Sequence, residues 1–442
     1  MQKTKLMRAA CAVFAVLFIL CALPVTNARA KTVPSEREGS AYLYNIENER
    51  AVYEKEADVK RFPAASVKLM TAALAYEKLS GRMDEKITVT SEMLSGVAGN
   101  RFGFRAGDEV TVEDLFYVLV LKGANDAAAI LAYLAAGSEG LFVDMMNDRA
   151  AQLSMNDTVY RNVTGMHHPD MVTTVSDTAK AGRLFASYKT LLDMSCMSHR
   201  TVDGADVYNR NAFVTKLNSM WTKEYYYSEA KGMSYGMTDE GGESFVSIAE
   251  RAGLSYICVI LGARTPEASE DGTTPKVSSF VWAKELFDYA LGGFGYIKVL
   301  STDRLVYDMP VRLCELTDHV MLVPEGEIYA YLALDTNIER EISYTYTLDT
   351  ESLTAPVEAG ARVGVLYVYR GEELLGEVGL VTQNGAELSV FLSSLEKIKS
   401  FTKSKFFICT LIALVLVTVG FVIVSGVRRA KKAKKRTVYR FR

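Results

Sequence analysis

Lys68 is the residue through which the chemistry of this chain has to be read. It stands in Pro63-Ala64-Ala65-Ser66-Val67-Lys68-Leu69-Met70-Thr71, which opens an apolar run through Ala72, Ala73, Leu74 and Ala75. On a helix of 3.6 residues per turn, side chains three apart lie within about 60° of each other on one face. A hydroxyl three residues before a lysine therefore meets the amine, and that contact is what makes the oxygen a nucleophile. Here the position is Ala65, and a methyl group cannot attack. Ser66 carries a hydroxyl, but two residues from Lys68 it points roughly 200° around the helix. It reads as a first-turn helix serine, with a role as alternative nucleophile only in a rearranged site.

Two further stretches place polar groups beside glycine. Gly123-Ala124-Asn125-Asp126-Ala127 contributes the amide of Asn125 just after Lys122-Gly123, itself an ordinary helix-ending pair. Gly232-Met233-Ser234-Tyr235-Gly236-Met237-Thr238 is strand-like and brings Ser234, Tyr235, Gly236 and Thr238 to one short segment. The four histidines, His167, His168, His199 and His319, lack metal-ligand spacing. No Gly-x-Ser-x-Gly elbow accompanies them. Adjacent His167 and His168 read as surface loop residues, and neither a metal nor a cofactor is expected.

The elements that must position these residues follow from periodicity. Ala41–Ile46 and Ala51–Glu54 flank Glu47-Asn48-Glu49-Arg50 as a hairpin leading into the Pro63 helix. Thr111 or a neighbour caps a helix with Leu115, Val118, Leu119 and Leu121 on its apolar face. A second helix runs from Ala127 to Ala136 and ends at Gly137, and a third runs from Ser176 to about Phe185, with a loop over 165–170 between them. After the Gly232 segment, runs at 244–249 and 256–261 form a meander at a sheet edge. Residues 296–390 alternate short apolar runs with Gly and acidic turns, the pattern of an all-β sandwich.

The ends of the chain differ from the rest. Residues 1–30 hold Lys3, Lys5 and Arg8, an apolar run from Ala9 to Leu23, and Ala28-Arg29-Ala30, the pattern of a signal peptide, with an uncleaved anchor as the alternative. Residues 391–405 place Phe391, Leu392, Leu395 and Ile398 at helical spacing with lysines nearby, either an amphipathic juxtamembrane helix or a plain stalk. Residues 406–427 carry no charge over about 22 positions, enough to cross a bilayer. Nine Lys and Arg residues follow within 428–442, which sets that tail in the cytoplasm. Without those ends, 37 basic residues face 53 acidic ones, a charge of about −16 that argues against nucleic acid as a partner. Cys196, Cys258 and Cys314, an odd number at wide spacings, are no disulfide framework.

Taken in order, these stretches resemble the low-molecular-weight penicillin-binding proteins, the serine-type D-alanyl-D-alanine carboxypeptidases. In that family the three motifs read approximately Pro-Ala-Ser-x-x-Lys-x-Met-Thr, Ser-x-Asn followed by Asp-Ala, and Gly-x-Lys-Thr-Gly-x-Thr. Ala57-Asp58-Val59-Lys60-Arg61 before the first motif and Ala355-Pro356-Val357-Glu358-Ala359-Gly360 in the C-terminal part add to the likeness. The resemblance implies an α+β fold, with a β-lactamase/transpeptidase-like domain over 38–290, a small β-sandwich domain over 296–390 and a C-terminal transmembrane helix. It implies Lys68 and Asn125 as retained catalytic positions and Tyr235, Gly236 and Thr238 as substrate-binding ones. The nucleophile has become Ala65, the second-motif serine Gly123, and the third-motif lysine Ser234. A membrane-anchored pseudoenzyme that binds a peptidoglycan stem peptide or a cell-wall protein partner is therefore expected. A carboxypeptidase with Ser66 or Ser234 as rearranged nucleophile and a structural spacer are the alternatives.

Overall fold

The computed structural model describes residues 33–34, 37–215, 225–266 and 276–438, with side chains to 432. The expected signal peptide and the last part of the basic tail lie outside the described residues. The chain divides into two compact units, the first ending at Gly295 and taking back Tyr331–Asp335, the second holding the remainder.

The first unit begins with the antiparallel hairpin β1 (Ser40–Asn45) and β2 (Arg50–Lys55), then α1 (Val67–Leu79). A short ribbon of β3 (Lys86–Thr88) and β4 (Glu109–Thr111) leads to α2 (Val112–Tyr117), capped by Thr111, whose hydroxyl accepts from the Asp114 N–H. Helices α3 (Asn125–Ala136), α4 (Glu139–Gln152), α5 (Val175–Ser187) and α6 (Lys189–Ser195) come next, and then the ribbon β5 (His199–Val202) and β6 (Ala205–Tyr208). Strands β7 (Ala230–Thr238), β8 (Gly242–Arg251) and β9 (Leu254–Ala263) and helix α7 (Ser278–Gly293) complete it.

The five-stranded antiparallel sheet has the order β2-β1-β9-β8-β7. Its two faces bury different residues by strict alternation. Val246, Ile248, Ile257, Val259 and Leu261 pack with the large core containing α1 and α3. Phe245, Ala249, Tyr256, Cys258 and Ile260 face the second core around Phe280, Trp282 and Phe287 of α7. Strands covered on both sides read as continuous apolar runs. The expected meander is β7-β8-β9, with β7 at one edge of the sheet and β2 at the other, while β9 is central because β1 pairs with it, Ser40 opposite Leu261.

In the second unit, β10 (Tyr307–Arg312), β11 (His319–Pro324), β12 (Ile342–Leu348), β13 (Leu353–Thr354), β14 (Arg362–Arg370) and β15 (Glu373–Thr382) form a sheet in the order β12-β14-β15-β11-β10-β13. Met309, Leu322, Leu366, Val368 and Leu380 are fully buried in it. Helix α8 (Val390–Thr402), capped by Ser389, leaves Val390, Phe391, Leu395 and Ile398 exposed, and Glu396 accepts from Arg312 at 2.6 Å. Helix α9 (Lys405–Val438) is long and apolar enough over Lys405–Lys432 to cross a membrane.

Candidate active site

The cleft is built where the start of α1 meets β7. Pro63 leads into a single 3-10 turn, Ala64–Ser66, that runs directly into α1. Ala64 has φ +46°, a left-handed conformation uncommon for a residue with a side chain. Such strain persists where surrounding structure over-determines it, and here the loop at Gly165 does so: a Cβ on Gly165 would lie 1.9 Å from the Ala64 carbonyl oxygen. Asn162 shapes that loop by accepting from the N–H groups of Thr164 (3.2 Å) and Gly165 (2.7 Å). Thr71 on α1 donates to the Val163 carbonyl at 2.8 Å.

Lys68, half-buried, donates to the Thr164 carbonyl oxygen. Burial lowers its pKa to about 7, and the like charge of Arg210 adds to the shift. The neutral amine is thus well populated near neutrality, as a proton acceptor requires. Ala65 stands at the cleft wall with Lys68. Ser66 is 3% exposed, donates to the Pro63 carbonyl at 2.8 Å, and is not among the residues facing the cleft.

Strand β7 forms the opposite wall. Its pairing with β8 shifts register between Lys231 and Ser234, where Gly232 and Met233 have φ +27° and +91°. This bulge re-aims Ser234, as bulges beside functional sites do. The Ser234 hydroxyl donates to the Ala65 carbonyl at 3.1 Å. Gly236 allows the close approach of strand and turn, since a Cβ there would lie 2.6 Å from the Ala65 Cβ. Thr238 faces the cleft and accepts from the Gly241 N–H at 3.0 Å. Tyr235 reaches the cleft rim, but its ring packs on Phe280 with centroids 4.6 Å apart. Burial first, then Glu243, raises its pKa.

The third wall comes from the end of α2, where Val118–Lys122 is a π turn. Such turns cluster at functional sites. Gly123 ends it at φ +65°, and Asn125 begins α3. Asn125 is 2% exposed and donates from its side chain to the Ala98 carbonyl at 2.7 Å. Asp126 accepts from the N–H groups of Phe102, Gly103 and Phe104 and so pins the 98–104 loop over the cleft.

The cavity enclosed by these walls has a volume of about 510 Å³. It brings together Lys68, Asn125, Tyr235, Gly236 and Thr238 with Ala65 and Gly123, from segments more than 160 residues apart. Ser234 faces the narrow recess at its inner end. The cleft also holds residues that the sequence reading does not single out, among them Gly99, Asn100, Thr164, Arg210, Asp239 and Glu240. The paired amides in Asn209-Arg210-Asn211 were the signal available for Arg210. His167, read from sequence as a surface loop residue, is exposed and also lines the cleft, its ring edge-on to Phe62 at 4.5 Å. Among the described residues no group of three His, Cys, Asp or Glu is placed to hold a metal.

Residues 27–265 match the sequence profile of D-alanyl-D-alanine carboxypeptidase, over half the chain. The chain belongs to the D-alanyl-D-alanine carboxypeptidase family. Residues 294–387 match the C-terminal domain of penicillin-binding protein 5. D-alanyl-D-alanine carboxypeptidase DacF of Bacillus subtilis is 22% identical over 375 residues, covering 81% of this chain and 88% of the relative. DacD of Escherichia coli is 26% identical over 340 residues, 73% of this chain and 80% of the relative. Penicillin-binding protein 5 from Haemophilus influenzae shares the fold, with a TM-score of 0.57 at 19% identity over 80% of this chain and 99% of that one. The carboxypeptidase family fold is therefore present across both units, with α9 added as a helix able to cross a membrane.

Proposed function

We propose that this member of the carboxypeptidase family is a membrane-anchored pseudoenzyme that binds peptidoglycan stem peptides without acylating on them. The observation that carries this reading is Ala65 in the cleft wall with Lys68, where a serine would have to stand. The lysine remains tuned for proton transfer and the cleft remains open, so the binding half of the machinery survives its chemical half. In catalytic sets of this kind the members act as a unit, so loss of the nucleophile alone removes most of the rate. Loss of the hydroxyl at Gly123 and of the cation at Ser234 then carries little further penalty. Residues 38–290 serve as the binding domain and 296–390 as the spacer, with 391–405 at the membrane surface, 406–427 as the span and 428–442 in the cytoplasm. A cell-wall protein is the other partner class for the same cleft.

The rearranged-nucleophile reading draws no support from Ser66, whose hydroxyl is buried on Pro63. Ser234 is engaged with Ala65 O and lacks a base placed to deprotonate it among its hydrogen-bond partners. Intact-mass spectrometry of the purified protein after incubation with penicillin is the test. No mass increase is expected, and an adduct mapped to Ser66 or Ser234 would overturn the reading.

A further inference from the structure

Strand β12 (Ile342–Leu348) forms one edge of the six-stranded sheet in the second unit. Its neighbour there is β14, paired antiparallel from Ile342 opposite Arg370 to Leu348 opposite Gly364 with no shift of register. Among the described residues, 343–347 make no backbone–backbone hydrogen bond outside that pairing. Ser343, Thr345, Tyr346 and Thr347 are exposed. The outer row of backbone N–H and C=O groups is therefore open, and such a row is a template for a further strand.

Folded proteins guard such edges with charge, proline, a bulge or short length. Other edges of this chain do so: β2 carries Arg50, Glu54 and Lys55, and β13 is two residues long. β12 has none of these devices. It runs Ile-Ser-Tyr-Thr-Tyr-Thr-Leu, seven residues without a charge, a proline or a glycine. Its tyrosines are also held in place. Tyr344 donates its hydroxyl to the Val299 carbonyl at 2.7 Å and has the Arg304 guanidinium 3.8 Å from its ring centroid. The Tyr346 ring, 41% exposed, lies 5.5 Å from that of Tyr307. Side chains fixed beforehand lose less freedom on association.

What fits this edge follows from the order of residue types. Read backwards the strand is Leu-Thr-Tyr-Thr-Tyr-Ser-Ile, so an antiparallel copy centred on Thr345 meets its own kind at every position. Ile342 stands opposite Leu348, Ser343 opposite Thr347, Tyr344 opposite Tyr346, and Thr345 opposite its own copy. Aromatic pairs and hydroxyl pairs across antiparallel strands are stabilising. Each pair joins residues of equal parity, so both faces of one sheet continue into the other. Beyond the strand, Glu341 would meet Asp349 of the second copy, but Arg370 already holds Glu341 at 2.8 Å.

We propose that this protein associates with a second copy of itself through β12, the two sheets joining about a two-fold axis at Thr345. The contact is isologous and closes at two chains. A seven-residue strand makes a small interface. With α9 anchoring both copies in one bilayer, the shared membrane supplies the effective concentration that such a contact needs. The second unit thereby acts in association as well as in spacing, whatever the cleft binds.

The test is oxidative cross-linking of the full-length protein in membranes, with the native cysteines replaced by serine. Thr345→Cys should give a product of twice the chain mass, and Leu316→Cys, 90% exposed in the same unit, should not. Energy transfer between differently labelled copies in one lipid vesicle reads the same contact without a covalent bond. Thr345→Lys and Thr345→Glu each set like charges against one another and should weaken association roughly tenfold. An equimolar mixture of the two should recover it, which damage to the fold by either substitution would not allow. No product from Thr345→Cys, an equal product from Leu316→Cys, or a product of any other mass would overturn the proposal. So would wild-type association left unchanged by Thr345→Lys, or a mixture no better than either variant alone.

Discussion

At the residue scale, the proposed reading turns on Ala65, which lines the cleft with Lys68. The amine of Lys68, lowered to about 7 by burial and then by Arg210, is suited to taking a proton from a neighbouring hydroxyl. Ala65→Ser would supply that hydroxyl one helical turn away. A reactive β-lactam should then form an adduct slowly, because acylation needs only the nucleophile and its base. On the proposed reading turnover also needs a proton delivered to the leaving amine, and if that relay belongs to position 123, Gly123 has no side chain for it, a role worth about 10²–10⁴-fold in rate. At φ +65° a serine there would also have to hold a left-handed backbone, at about 1–2 kcal/mol. Ala65→Ser is expected to gain mass with penicillin over hours and to release no D-alanine above the wild-type background. Measurable D-alanine release by the single variant would show that the relay at Gly123 is dispensable.

The site depends on how closely β7 approaches the 3-10 turn before α1, and Gly236 sets that distance. Gly236→Ala would place a methyl 2.6 Å from the Ala65 Cβ, where neither group has a rotatable end to move aside. Overpacking of this kind destabilises by about 1–3 kcal/mol. Ala65→Gly in the same chain removes the clash, so the two substitutions should couple favourably by about 0.5–3 kcal/mol in a double-mutant cycle. Urea unfolding of the four proteins measures it, and strictly additive effects would mean that strand and turn stand further apart. Asn125 and Asp126 act at the same scale: one residue occupies the Ala98 carbonyl, the next pins the 102–104 amides, and together they hold the loop that roofs the cleft.

At the scale of the whole molecule, the question is where the cleft stands relative to the membrane. The apolar stretch of α9 is followed directly by Arg428, Arg429, Lys431 and Lys432, which favours retention of that side in the cytoplasm. In a background with the native cysteines replaced by serine, a membrane-impermeant maleimide should label Leu316→Cys, 90% exposed in the second unit, on intact cells. Lys432→Cys should react only after permeabilisation. The opposite pattern would place the cleft inside the cell and end its assignment to peptidoglycan.

What the sequence determined by itself was local. The helix after Pro63, the Thr111 cap, the turns at Gly123 and Gly137 and the hairpin at Glu47 follow from contacts within a few residues of one another, and they appear as read. The alanine three residues before Lys68 is equally local, because that spacing puts both on one face by helix geometry. Tertiary structure decided the rest. That β9 is central depends on Ser40 meeting Leu261, a pairing across more than two hundred residues that no period in either segment encodes. That the Tyr235 ring packs on Phe280, forty-five residues later, while the residue still lines the cleft, is encoded by no local pattern. For Arg210 the only local signal is the pair of amides flanking it. Its place in the cleft wall with Lys68 comes from two buried asparagines bonding to three backbone carbonyls in two other segments, contacts that exist only once the chain has closed around them.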